Sequence, residues 1–285
     1  MGVITFNGVT STSVGIQVAH PPMYVYPEKD SEAVHVPGRN GDVIIDKDSY
    51  MNVPREYEIT VYDTDHPEWT YSERMMKLSK WLHSATGYAK LSDTYDVGYF
   101  RKARYVEEAQ EFENFVNQGG AGTITFDCCP ERFLDSGAET ITITKASSGN
   151  TESNVFNPTD YWSRPCIKLY GTTGSGNNSG QLTGTLRLNY VRWDDNASQY
   201  VGGGINDIIV ITGARLTGGT PYVLVDTDLQ IVDNNSDVPF MYILPEGFPV
   251  FAPKERDDHP TKNVLSWVSS GSISKIEVIP RWYTI

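Results

Sequence analysis

The 285-residue chain is acidic, with 23 Lys plus Arg against 36 Asp plus Glu and a formal net charge of −13. A surface of that sign repels phosphate backbones, which argues against nucleic-acid binding. No apolar run reaches the roughly 18–20 residues of a spanning helix, which argues against membrane insertion. Three cysteines, two of them adjacent at Cys128 and Cys129, make no disulfide framework. That cysteine usage leads us to expect synthesis in a reducing cytoplasm, and the opening MGVITFNGV does not read as a secretory signal. Twenty-five glycines, 16 prolines, 12% aromatic residues and many short Val/Ile/Thr/Tyr runs favour a mainly β fold, and the length favours two domains.

Taken in order, residues 3–6 and 14–18 read as short strands joined by a Thr-Ser turn. Val34 and Val36 then alternate with polar residues and run into Pro37-Gly38-Arg39-Asn40-Gly41-Asp42, where two glycines and an Asn-Gly step mark a tight reversal. Val43-Ile44-Ile45 is expected to leave that turn as a buried strand. Tyr57, Ile59 and Val61 share one face of the next strand, which completes a meander with a stiff hairpin. Thr70 and Glu73 fit a capping box, with Met75, Leu78 and Leu82 at helical spacing behind it, Trp81 flanking and Gly87 as the stop. The spacing predicts a helix over 71–84, about 21 Å long, with its apolar side against the sheet.

Residues 99–106 alternate as a strand with Arg101 and Ala103 on one side. Residues 107–118 fit either a helical turn or an edge strand. Ile124, Phe126 and Cys128 share a strand face, and Pro130 is expected to stop that strand. The domains are accordingly placed at 1–132, an α+β unit with one main helix, and 133–285. The second half has no helix signal. Its strand candidates, 140–144, 166–170, 182–190, 208–212, 222–225, 264–268 and 273–279, are separated by glycine-rich links in the manner of a β-sandwich. Two polar loops, 171–180 and 193–206, are long.

No constellation of reactive residues survives inspection. Asp233, Asn235 and Asp237 begin like a calcium loop, but Val238 and Leu244 stand where Gly and Glu are required. Asp226 and Asp228 read as a turn between strands. Asp257-Asp258-His259 offers one imidazole, a poor metal site. Gly174-Ser175-Gly176 lacks the third glycine of a dinucleotide loop, and neither Gly-x-Ser-x-Gly nor His-Glu-x-x-His occurs. The expectation is therefore no catalytic, cofactor or metal site, and no enzyme. Tyr161, Trp162, Tyr190, Trp193 and Tyr200 could stack on sugar, fill the core or meet a neighbouring protein. Core or contact is favoured, because large aromatics are mostly buried. Trp193 and Tyr200 are the candidate partner or glycan contacts.

The stretch PGRNGDVIIDKDSYMNVPREYEI resembles the signature of the distal tail protein family of siphophages, the baseplate hub called Dit, whose pattern runs PGR-x-G, then D-x-x-Y-x-N-V and a further Tyr. Three later stretches agree in order: Gly87-Tyr88 to Tyr95-Asp96, Phe126 to Leu134, and the closing Asn263 to Trp267 with Ile279 to Ile285. The resemblance implies a virion structural protein of the tail tip, with an N-terminal domain forming a homo-hexameric ring and a galectin-like C-terminal sandwich pointing outward. The implied partners are the tail tube protein, the tail-associated tip protein, and a receptor-binding protein or host wall glycan. It carries no catalytic residue over. Pro37, Gly38, Arg39, Gly41, Tyr50, Asn52, Tyr57, Asp93 and Tyr95 match its pattern and are assigned to turn geometry and packing, with Arg39 the candidate subunit contact. The competing reading is a carbohydrate-binding module that recognises wall polysaccharide.

Overall fold

The structure, a computed structural model, describes residues 2–61, 67–106, 112–114, 119–144, 151–171, 181–202, 207–215, 222–234, 241–244, 247–268 and 273–285. It divides into two compact units, Met1–Phe133 with Ile285, and Leu134–Thr284.

Unit 1 contains β1 (Ile4–Phe6), β2 (Val9–Thr10), a 3-10 turn over Ser11–Val14, β3 (Gln17–Val18), β4 (Lys29–Val34), β5 (Val43–Tyr50), β6 (Val53–Val61), α1 (Tyr71–Leu82), β7 (Ala89–Asp93), β8 (Tyr99–Tyr105), β9 (Glu113–Asn114) and β10 (Gly120–Leu134). Its main sheet runs β2-β1-β7-β8-β10-β6-β3, with β9 also on β10. Gly2 bridges Val18, so the chain just before β1 returns to the β3 edge. The period-two reading holds on β6, where Val53, Arg55, Tyr57, Ile59 and Val61 are buried and Pro54, Glu56 and Glu58 are exposed. Antiparallel pairing sets Tyr57 against Ile124 and Arg55 against Phe126. Contrary to expectation, Pro130 does not end its strand. β10 runs on to Leu134, and the Pro130 carbonyl, the one ladder group proline retains, accepts from Arg101 at 3.2 Å.

Helix α1 closes the open side of this sheet. Its N-terminus is a full capping box: the Glu73 amide donates to the Thr70 hydroxyl at 3.3 Å, and the Thr70 amide donates to Glu73 Oε2 at 2.8 Å. Leu78, Trp81 and Leu82 are buried, with Trp81 edge-on to Phe6 at 6.4 Å and its indole N–H donating to the Val9 carbonyl. Thr70→Ala removes the side-chain acceptor of the Glu73 amide. It should destabilise unit 1 by about 1 kcal/mol, read as a lower urea midpoint at unchanged slope.

The meander expected across 34–61 does not form. Among the described residues β4 and β5 pair only with each other, and β6 joins the main sheet.

Unit 2 holds a four-residue helix α2 (Asp135–Ala138) and β11 (Ile141–Thr144), β12 (Thr151–Phe156), β13 (Cys166–Gly171), β14 (Gln181–Asp194), β15 (Gln199–Gly202), β16 (Asp207–Arg215), β17 (Tyr222–Asp226), β18 (Ile231–Asn234), β19 (Met241–Ile243), β20 (Lys262–Val268) and β21 (Ile273–Ile279). They form two antiparallel sheets, β11-β21-β13-β17-β18 and β12-β20-β14-β16-β19, with β15 on β14. One core serves both: Ile167, Leu169, Val223, Val225, Ile276 and Val278 come from the first sheet, and Leu186, Leu188, Ile209, Ile211, Leu265 and Trp267 from the second. The protein is thus mainly β, an α+β unit followed by a β-sandwich.

Candidate functional site

The most unusual feature of unit 1 is the β4–β5 hairpin. Val43 pairs with Val34, Ile44 with Ala33 and Ile45 with Glu32. Neighbouring residues on a strand point to opposite faces, yet Ile44 is 63% and Ile45 49% exposed. Neither face is covered, so the expected burial of Val43-Ile44-Ile45 is corrected. The hairpin stands off the sheet as an arm. Cross-strand pairs Lys29–Asp46 and Lys47–Asp30 hold its base, but exposed pairs of this kind stabilise by at most about 1 kcal/mol each. The tip, residues 35–42, needs both of its glycines: Gly38 has φ +85° and Gly41 +78°, values that side chains resist. Pro37 lies beside them, and His35 and Asp42 meet at 3.2 Å across the neck. Arg39 is at the exposed extremity.

The root of the arm is anchored firmly. The Met51 amide donates to the Glu28 carbonyl at 2.8 Å, which ties the two chain crossings together. Asn52 Nδ2 donates to the Tyr88 hydroxyl at 2.6 Å and to Asp127 Oδ2 at 2.9 Å, an oxygen that also accepts from Arg104. Behind it, Asp93 Oδ2 accepts from Arg55 at 2.7 Å and from the Tyr57 hydroxyl at 2.6 Å, while Oδ1 accepts the Tyr95 amide. Burial, with the adjoining Asp93 carboxylate, pushes the Tyr57 phenol far above the ordinary tyrosine range. The Arg55 guanidinium is raised despite burial, because Tyr57 and Asp93 face it. Asn52, Tyr57, Asp93 and Tyr95 are therefore brought together as scaffolding around the arm's root, and Arg39 is separated from them at the tip. Sequence reading missed Arg55, whose buried place on the Tyr57 face of β6 was the available signal.

In unit 2, Trp193 and Tyr200 are cross-strand partners on β14 and β15, where a long loop was expected, and their rings meet edge-on at 5.2 Å. His259 stacks on the Trp193 indole at 3.9 Å, and Lys262 Nζ lies 3.6 Å from the Tyr200 ring centre. The Tyr200 hydroxyl donates to the Pro260 carbonyl at 3.4 Å, and Arg256 bridges Asp195 and Asp258. These aromatics clasp the 254–262 segment to the hairpin, and one indole face is already occupied. The Asp226-Thr227-Asp228 turn matches expectation: Asp226 Oδ1 accepts the Asp228 and Leu229 amides at 3.1 Å. Cys128 is buried, which pushes its thiol up to about 12 and leaves it protonated at neutral pH. Among the described residues no three His, Cys, Asp or Glu side chains are grouped to hold a metal, and no helix is long and apolar enough to cross a membrane. Asn235, Asp237, Val238, Gly174-Ser175-Gly176, 107–111, 115–118, 172–180 and 203–206 lie outside the described residues.

No protein-family model matches the sequence, and no curated protein sequence matches it. The architecture, however, is shared with the SPP1 Dit (gp 19.1) protein, described as a paradigm of the hub adsorption apparatus in phages infecting Gram-positive bacteria. That likeness covers 100% of both chains, with 13% identity and a TM-score of 0.60. The chain has the fold of that Dit protein. Two chains of the phage P2 baseplate in its activated conformation are also similar. The one with Ca covers 95% of this chain and 99% of its own, at 9% identity and TM-score 0.46; the one with Sr covers 94% and 98%, at 10% and 0.43. Scores that low carry no argument. The likeness to the Dit fold spans both units, and the arm, root and tip described above lie within unit 1.

Proposed function

We propose that this chain is a structural protein of a phage tail tip, and that its N-terminal domain, residues 1–132, assembles as a hexameric ring. The ring joins the tail tube to the tail-associated tip protein, and residues 133–285 present a sandwich to further baseplate proteins. The protein works by assembly and not by catalysis, as a component of the virion. The full-length Dit fold supports this reading, but fold alone does not assign function. The observation that carries it is the arm. An isolated two-stranded hairpin is marginal in water, and this one holds Ile44 and Ile45 out to solvent on opposite faces. Close by in sequence, Met23 is 83% and Tyr26 78% exposed. Apolar exposure on that scale marks a protein contact.

The test is the mass of the full-length protein by analytical ultracentrifugation at tens of micromolar and moderate salt, with and without the neighbouring tail proteins. The expected species is a closed hexamer. Ile44→Ser combined with Ile45→Ser should shift it to monomer with an unchanged melting profile, since both side chains are exposed. A wild-type chain that is monomeric under every condition overturns the ring.

A further inference from the structure

Beneath the segment that leads into the arm lies a groove of about 330 Å³, lined by Pro21, Pro22, Met23, Val25, Pro54, Glu56, Glu58 and neighbours. Its floor is the outer face of β6. Glu56 and Glu58 point outward from alternate positions of that strand, so their Cα positions are about 7 Å apart at about 3.3 Å of rise per residue. The ion partner of Glu58 is His20, at a distant 3.9 Å with both side chains more than two-thirds exposed. Two neighbouring carboxylates repel each other unless a cation lies between them. Pro21, Pro22, Met23 and Val25 give the groove an apolar wall beside His20 and Thr123, and a flat guanidinium with a hydrophobic stem fits such a slot, the fork reaching carboxylates and the methylenes lying on proline and methionine.

Arg39 has that chemistry. Among the described residues it forms no ion pair and is exposed. It cannot reach the groove of its own chain. The arm's root, Met51–Asn52, directly precedes β6, whereas β4 alone, six residues long, carries the tip about 20 Å away. Antiparallel pairing and the root contacts of Met51 and Asn52 prevent the hairpin from folding back. A hook at the tip and a receptor at the root of one domain produce a head-to-tail contact between copies, the kind that closes into a ring when the rotation allows.

We propose that Arg39 of one copy of this chain docks in the Glu56–Glu58 groove of the next. The pairing rests on the ring reading above and assigns its polar contact. The experiment uses charge reversal in the full-length protein. Arg39→Glu makes the tip and the groove both acidic; Glu56→Lys with Glu58→Lys makes both basic. Each variant alone should need at least about tenfold more protein to assemble than wild type. Mixed in equal amounts they should assemble again, alternating around the ring, because every contact then joins opposite charges. The contact should also weaken with salt. All three side chains are exposed, and melting curves should be unchanged. If wild type assembles and the variants assemble equally well alone, or fail to rescue each other when mixed, the pairing is wrong and the ring stands. If wild type never assembles, the ring reading fails and the pairing with it.

Discussion

Replacing Asp93 by alanine should cost unit 1 about 3–5 kcal/mol, the range found when one partner of a buried ion pair is removed. The Asp93 side chain is 3% exposed and that of Arg55 10%, so solvent cannot take over the lost partner. The carboxylate accepts from Arg55, Tyr57 and the Tyr95 amide, and its deletion strands a guanidinium, a phenol and a backbone donor at one point. Asp93 also sits at the end of β7, paired with Ile4, so the N-terminal strand should loosen with it. Urea unfolding followed by tryptophan fluorescence reads the effect through Trp81. A loss below about 1 kcal/mol would show that water enters this pocket freely and that the network is peripheral. Tyr57→Phe, which removes one hydrogen bond and keeps the ring against Phe126, should cost only about 1–2 kcal/mol.

The second large effect belongs to unit 2. Arg281 grips Asp226 with two bonds of 2.7 Å, and the same carboxylate accepts the Asp228 and Leu229 amides. Burial pushes the Asp226 carboxyl up, but Arg281 and the turn amides outweigh it and hold it below the usual carboxylate range. A carboxyl whose folded value is depressed contributes its full stabilisation above the unfolded pKa, about 3.9. That contribution disappears as pH falls through the lower folded value. Asp226→Ala should therefore lower unit 2 stability by about 2–3 kcal/mol at pH 7, discounted because Arg281 is a quarter exposed. At a pH below the depressed folded value the variant and the wild type should converge. Thermal melts across that range decide it: an equal deficit at both pH values would mean that the turn amides and packing, not the charge, account for the loss.

Local chemistry determined much of this protein. Thr70 and Glu73 are three residues apart, and their capping box could be read directly because both partners lie within one turn. The alternation of Tyr57, Ile59 and Val61, and of Ile124, Phe126 and Cys128, fixed which face of each strand is buried, since a strand repeats every two residues. Gly38 and Gly41 announced a turn whose backbone they alone tolerate. The collinear Dit-like stretches pointed to the architecture found. The tertiary structure decided what no local window contains. Val43-Ile44-Ile45 reads as a core strand, and only the exposure of Ile44 and Ile45 on opposite faces of its hairpin makes it an arm. Strands β12 and β15 carry little apolar signal and form because β20 and β14 offer them ladder partners. Arg55 and Asp93, 38 residues apart, meet only when β6 and β7 are laid into one sheet. The same holds for the candidate contact: Arg39 could be singled out by its place at a hairpin tip, whereas its receptor, Glu56 and Glu58 beneath Pro21 and Met23, exists only once the chain entering the arm crosses β6. Periodicity reports which side of an element is apolar. What covers that side depends on segments distant in sequence, and only folding brings them together.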